Sequence, residues 1–211
     1  MFLILNMFSK IGNLEFTNLH LIYDLETTGQ IKMFTSNNKI RCQPRVNSYQ
    51  KNNIYINEIY PEITEIAIKD YDTEMIILST LVKPNSKISD EISKITGITN
   101  KMVKKQPSID EIVTILESAT NHFRDCKMMA HNGNRFDNKI LLHYKMINPK
   151  NISFIDTMSI IPIHITGNIK LVKKSLGHIY YFLFKTNFKA HRAMNDVDAL
   201  IKIMKHLKIR F

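Results

Sequence analysis

Asp24 and Glu26 stand on either side of Leu25 at the end of an apolar run, Leu21 to Leu25, that reads as a short β-strand. Side chains two apart on a strand project to the same face, so both carboxylates point together while Leu25 points the other way. Like charges held that close repel each other, and a divalent cation would relieve the repulsion. A lone D-x-E is common on ordinary surfaces, so the pair needs partners. Asp137 is one candidate, placed after the strand-like run Lys127 to His131 and the turn Asn132-Gly133, where a helix begins. A carboxylate there could equally do no more than stabilise the helix N-terminus. His191 and Asp196 supply the rest. Five residues turn through about 140° on an α-helix, so His191 must sit on the loop before the helix if the two act together. On that helix Val197, Leu200, Met204 and Leu207 form an apolar stripe, and Asp196 lies at its edge, facing inward. An inward acid is costly unless it is paired or bound to metal. Taken alone, His191 fits a surface or capping histidine equally well.

These residues need a scaffold, and the chain reads as one that alternates strands with helices. Ile63 to Ile68, Met75 to Val82, Lys127 to His131 and Ile152 to Asp156 have strand character, and the first three strands in sequence suggest an antiparallel start. Helices are expected after Pro107, where Ser108 and Glu111 have capping-box spacing, and over Phe136 to Met146, Lys174 to Phe184 and Arg192 to Leu207. That order implies a sheet with helices packed on it and ligands at the strand ends. With 211 residues, 44% of them apolar, the chain can fill one core, and a single domain over residues 1–211 is expected. Disorder, collagen and disulfide scaffolds are excluded, since two cysteines, Cys42 and Cys126, cannot staple a fold. Reduced thiols imply an intracellular protein, cytoplasmic or nuclear. The apolar start Met1 to Leu5 is too short for a spanning helix or a signal peptide and reads as a strand or packed arm.

One segment does not fit the plan. From Gln30 to Asn57 there is no acidic residue, but Lys32, Lys39, Arg41, Arg45 and Lys51 are present. It reads as a mobile basic insertion, with a small hairpin as the competing form, and either could touch a phosphate backbone. The formal charge of +10 predicts an anionic partner without choosing one. Asp156, before Thr157, reads as a helix cap. Asp198 and the strip Lys202, Lys205 and Lys208 read as solvated surface.

Together, the D-x-E pair, a distant Asp after a later strand and H-x-x-x-x-D near the C-terminus are far rarer than any part. The segments Ile22 to Gly29 (IYDLETTG), His131 to Leu141 (HNGNRFDNKIL) and His191 to Leu200 (HRAMNDVDAL) resemble the three motifs of the DEDDh (DnaQ-like) 3′-5′ exonuclease superfamily. Within it the likeness is greatest to the three-prime repair exonuclease (TREX) group, through the longer second motif H-N-G-x-R-[YF]-D. Ile95 to Ile98 (ITGI), Phe154 to Thr157 (FIDT) and Ser175 to Tyr180 (SLGHIY) match as well. The resemblance runs from about residue 20 to 207 and omits the basic insertion, which has no counterpart.

The resemblance implies an RNase H-like α/β fold: a mixed five-stranded sheet, three antiparallel strands then parallel ones, flanked by helices. It implies that Asp24, Glu26, Asp137 and Asp196 hold two divalent cations, Mg²⁺ with Mn²⁺ able to substitute, and that His191 is the general base. Glu26 and the Thr27 backbone would bind the terminal 3′ hydroxyl, Ile95 and Phe136 would pack against the last bases, and Arg135 and His131 would lie near the phosphates. The implied activity is 3′-to-5′ exonucleolytic release of 5′ mononucleotides from DNA, single-stranded ends preferred. RNA as substrate and a non-catalytic nucleic-acid-binding module are the alternatives. A homodimer joined through edge strands is implied by the resemblance only. The proline-rich loop and membrane tail of mammalian TREX members are absent from this sequence, so no membrane partner is implied.

Overall fold

The computed structural model describes residues 16–37, 45–165 and 173–211. Cys42, Lys39, Arg41 and the Met1 to Leu5 run lie outside these. In chain order the strands are β1 (Phe16–Thr17), β2 (His20–Thr27), β3 (Lys32–Ser36), β4 (Val46–Lys51), β5 (Ile54–Ile59), β6 (Ile63–Asp70), β7 (Ile76–Leu81), β8 (Phe123–Arg124), β9 (Cys126–Ala130) and β10 (Ile152–Asp156). The helices are α1 (Asp90–Thr96), α2 (Asn100–Val103), α3 (Ile109–Thr120), α4 (Asp137–His143), α5 (Thr157–His164), α6 (Leu176–Phe184) and α7 (Ala193–His206).

Five strands form the central sheet in the order β10-β9-β2-β6-β7. The pairs β2–β6 and β6–β7 are antiparallel, and β2–β9 and β9–β10 are parallel, as the resemblance implies. Alternation along β2 divides the core. Leu21, Tyr23 and Leu25 join a buried cluster with Ile112 and Leu116 of α3 and Ile140 and Leu141 of α4. Ile22 faces the opposite cluster, with Ile161 of α5, Ile179 of α6 and Val197, Leu200 and Met204 of α7. By the same alternation Asp24 and Glu26 face the side where α7 lies.

Several helices start at a capping side chain. Ser108 Oγ accepts the Glu111 N–H at 3.4 Å while Glu111 Oε2 accepts the Ser108 N–H at 2.7 Å, which closes the expected capping box of α3. Ser89 caps α1, and Gly97 ends it at φ 72°, a left-handed position that glycine takes without strain. Asp156 caps α5 through the Met158 N–H at 3.0 Å. The helix expected over Phe136 to Met146 is shorter, because Lys145 turns to φ 54° and the Met146 N–H closes back on the Leu141 carbonyl at 2.9 Å.

The described part of the basic insertion is paired strand rather than mobile loop. Its described residues form a separate antiparallel sheet in the order β3-β5-β4, in which β4 and β5 make a hairpin across Asn52-Asn53, both at positive φ. β-favouring residues such as Tyr49, Ile54, Tyr55 and Ile56 outweigh the polar content. The lysine strip on α7 is also more engaged than expected: Lys202 lies 4.5 Å from the Phe184 ring centroid, and Lys205 pairs with Glu74. Asp198 is exposed, as expected, but pairs with Lys69 at 2.7 Å. No helix among the described residues is long and apolar enough to cross a membrane.

Gly133 sits where a side chain cannot. An added Cβ would lie 2.7 Å from Asn138 Oδ1, the acceptor of the buried Tyr23 hydroxyl, and 2.9 Å from Ala130 Cβ. Gly133→Ala is therefore expected to lower the unfolding free energy by about 1–3 kcal/mol, read from the urea midpoint at unchanged slope.

Candidate functional site

Asp24 and Glu26 come from the end of β2, where a register shift between Glu26 and Thr27 interrupts the regular pairing with β6 before Thr27 pairs with Ile63. Asp196 arrives on the first turn of α7, which crosses β2 and β6. Carboxylate oxygens of Asp24, Glu26 and Asp196 lie within 4.8 Å of one another. Asp137 is not one of that close trio. It opens α4, which packs on the other face of the sheet, and reaches the group around the strand end, where its Oδ1 accepts the Leu25 N–H at 3.2 Å. His191 precedes α7 at φ 64°, exposed, as the helical spacing requires. Asp196 folds back on that turn, its Oδ2 accepting the Arg192 N–H at 3.1 Å.

These residues line one cleft of about 760 Å³ together with Thr27, Ile95, His131, Arg135 and Phe136. Every candidate from the sequence thus reaches the same cavity. Arg135 is exposed there, and Ile95 is 50% exposed. His131 is differently placed from a free phosphate contact: its Nδ1 meets Thr157 Oγ1 at 3.1 Å and its Nε2 meets the Lys174 carbonyl at 2.7 Å. Burial also lowers its pKa below that of an ordinary histidine.

Burial, reinforced by the crowding of acids, dominates the electrostatics. Burial first, then the charges of Asp137, Asp196, Glu26 and Glu65, hold the Asp24 carboxyl well above the usual carboxylate range. Glu26 is pushed up to about 8 by burial and by Asp196, Glu65 and Asp137, with Arg192 opposing. Burial raises Asp137 to about 7, although N–H groups of its own residue and of Leu25 partly stabilise its charge. Asp196 is raised by burial and lowered by the Arg192 amide and by His191. A set of carboxylates that repel this strongly suits a hard divalent cation such as Mg²⁺ or Mn²⁺.

Two residues outside the expected site set, Glu65 and Asp156, frame the site. Glu65, buried on β6, lies directly opposite Glu26 in the sheet register. It accepts Arg192 Nε at 2.9 Å, Arg192 Nη2 at 2.7 Å and the Ala193 N–H at 3.0 Å. The bidentate pair clamps the N-terminus of α7, and with it the strained His191 turn, to the strand beside Glu26. The signal available in the sequence was an acid at an inward position of an otherwise apolar strand, Ile63 to Ile68. Asp156 likewise does more than cap a helix, since it accepts the Asn132 and Asn134 N–H groups at 2.9 and 3.2 Å and braces the turn before Asp137.

With this geometry the family comparison is direct. The RNase_T exonuclease model matches residues 21–204, and the chain belongs to that family. It is 54% identical over all 211 residues to an uncharacterized exonuclease of Acanthamoeba polyphaga mimivirus, of which it spans 66%. It is 33% identical over 127 residues, 59% of this chain and 9% of the relative, to the PolC-type DNA polymerase III of Thermotoga maritima. Among solved structures, zinc-bound E. coli ExoI in complex with single-stranded DNA superposes with TM-score 0.63 at 19% identity, covering 92% of this chain and 41% of that one. Exonuclease X with 5′ overhanging duplex DNA gives TM-score 0.53 at 23% identity, covering 90% and 94%. At these identities the two structures establish the fold. The family supports a nuclease of the DEDDh superfamily.

Two outcomes follow from the crowded acids and their clamp. Glu26 and Asp137 bind protons more readily folded than unfolded, so their contribution to stability is full below about pH 4 and is lost as pH rises through about 7 and about 8. In metal-free protein the melting temperature should fall over that window, and saturating Mg²⁺ or Mn²⁺ should raise it by about 5–10 °C at pH 8 and by much less at pH 5. Arg192→Ala leaves buried Glu65 without its partner and should cost about 2–4 kcal/mol in urea unfolding, whereas Arg192→Lys should recover part of it.

Proposed function

We propose that the chain is a metal-dependent 3′-to-5′ exodeoxyribonuclease that releases 5′ mononucleotides and prefers single-stranded ends. The observation that carries this reading is the convergence of Asp24, Glu26 and Asp196 oxygens within 4.8 Å, with Asp137 and exposed His191 in the same cleft. Two divalent cations held by Asp24, Glu26, Asp137 and Asp196 would supply water activation and stabilisation of charge on the leaving oxygen. DNA in the ExoI and Exonuclease X complexes supports a DNA strand as ligand.

The chain's own residues divide the remaining work. His191 accepts the proton of the attacking water at an imidazole nitrogen, and the neighbouring Asp196 carboxylate stabilises the imidazolium that results. Its place on a loop ahead of α7 leaves the ring exposed to the cleft. Glu26 and the Thr27 backbone receive the 3′ hydroxyl at the end of β2. Ile95 and Phe136 pack against the last bases, a contact indifferent to base identity, and Arg135 meets a phosphate. His131 supports the cleft wall through Thr157 and Lys174. If the protein dimerises through its central sheet, the available edges among the described strands are β7 and β10; light scattering decides the point.

Oligonucleotides labelled at the 3′ or 5′ end, single- and double-stranded, as DNA and as RNA, test the reading with and without chelator. Expected are release of 5′ mononucleotides from the 3′ end of single-stranded DNA that chelator abolishes, loss of hydrolysis in Asp24→Asn and Asp196→Asn with strand binding retained, and a ~10²–10⁴-fold lower kcat in His191→Ala. A faster rate on RNA would overturn the choice of substrate. Full activity of Asp196→Asn would overturn the site.

A further inference from the structure

No residue of the small sheet β3-β5-β4 belongs to a described core cluster, and its two faces differ in exposure. Opposed residues share a face in an antiparallel sheet, so the registers Met33↔Glu58↔Asn47, Thr35↔Ile56↔Tyr49 and Ile54↔Lys51 place these side chains together. Met33, Tyr49 and Ile54 on that face are 58%, 41% and 44% exposed, and Thr35, Asn47 and Lys51 are exposed as well. The other face is the more covered one, with Asn57 fully buried and Val46, Ser48 and Tyr55 half-buried. A contiguous apolar and aromatic strip flanked by a lysine, on a sheet held away from the core, marks a binding surface.

Its charge and its position select the occupant. The segment from Gln30 to Asn57 has five cations and no acid; among its described residues Arg45 pairs with Glu62 at 3.1 Å and Lys32 lies on the opposite face, so Lys51 is the cation this face offers a polyanion. The one acid on the exposed face, Glu58, is buried at its base and neutralised by Lys139 at 2.9 Å. That ion pair ties the face to α4, whose first residue is Asp137 in the cleft, and Gly29 and Gln30, which lead into β3, line the same cleft. The base of the sheet therefore adjoins the cleft, and its strands, six residues at most, extend for about 20 Å.

We propose that this face is a platform for single-stranded DNA, on which nucleotides upstream of the 3′ end lie while the end itself occupies the cleft. Tyr49 stacks on a base, Met33 and Ile54 pack against neighbouring bases, and Lys51 meets a phosphate. Stacking accepts any base, so the platform lends affinity for long strands without sequence preference. The proposal rests on the reading of the cleft as the site of the 3′ end.

Platform and cleft can be measured separately. Anisotropy of a 5′-labelled thymidine strand of about twenty nucleotides, in chelator, reads binding with no hydrolysis. Hydrolysis of a four-nucleotide strand in Mg²⁺ reads the cleft alone. Tyr49→Ala is expected to weaken the long strand about tenfold, Tyr49→Phe to retain the affinity, and Lys51→Glu to flatten its salt dependence by about 0.7 in log–log slope or more. All three should hydrolyse the four-nucleotide strand at the wild-type rate and melt at the wild-type temperature. Long-strand affinity within about twofold of wild type in Tyr49→Ala, or equal losses on both strand lengths, would overturn the platform. So would a wild-type dimer that Tyr49→Ala dissociates with strand affinity unchanged. An inactive wild type whose long-strand binding still depends on Tyr49 would sink the exonuclease reading and leave the platform standing.

Discussion

Repulsion among carboxylates at the end of β2 is the constraint on which the rest of the structure depends. Asp24 and Glu26 share a face because a strand has a period of two, and Asp196 is delivered to them by a helix packed on that face. Asp137 comes from the opposite layer and is steadied by the Leu25 amide. Nothing in the apolar packing requires four acids here, and without a cation their proximity costs stability. A cation bound among them would offset that cost, which is the physical ground of the proposed metal-dependent reading.

Holding them requires restraint beyond the motif residues. Arg192 and Glu65 join α7 to β6 through two side-chain hydrogen bonds and a third to the Ala193 amide. His191, next to this clamp, adopts a left-handed backbone that a non-glycine residue takes only when its surroundings fix it. Strain at His191 and order at Arg192 are thus two aspects of one turn. Asp156 plays the corresponding part on the other side, tying the Asn132 turn to β10.

Much of this was legible in the sequence. Period-two and period-3.6 patterns located the central strands and helices, and the D-x-E and H-x-x-x-x-D spacings located the acids, because those signals are local. Glu65 was not legible: its partner lies 127 residues away, and only the strand register places it opposite Glu26. The segment from Gln30 to Asn57 reads first as a mobile insertion and only second as a hairpin, because its polar, basic composition resembles a loop; the described strands take the second form and add β3 to it. Its strands pair with each other rather than with the central sheet, so no core-facing apolar alternation announced them. His131 shows a third kind of limit. Motif position brought it to the cleft, but its hydrogen bonds to Thr157 and Lys174 depend on tertiary packing.

The central claim is that the acids hold protons until a divalent cation replaces them. Calorimetric titration of metal-free protein with Mn²⁺ at pH 6.5, repeated in buffers of different ionisation enthalpy, counts the protons released. With Glu26 raised to about 8 and Asp137 to about 7, release of about one to two protons per chain is expected, declining towards none above about pH 9. Absence of binding, or binding without proton release at pH 6.5, would contradict it.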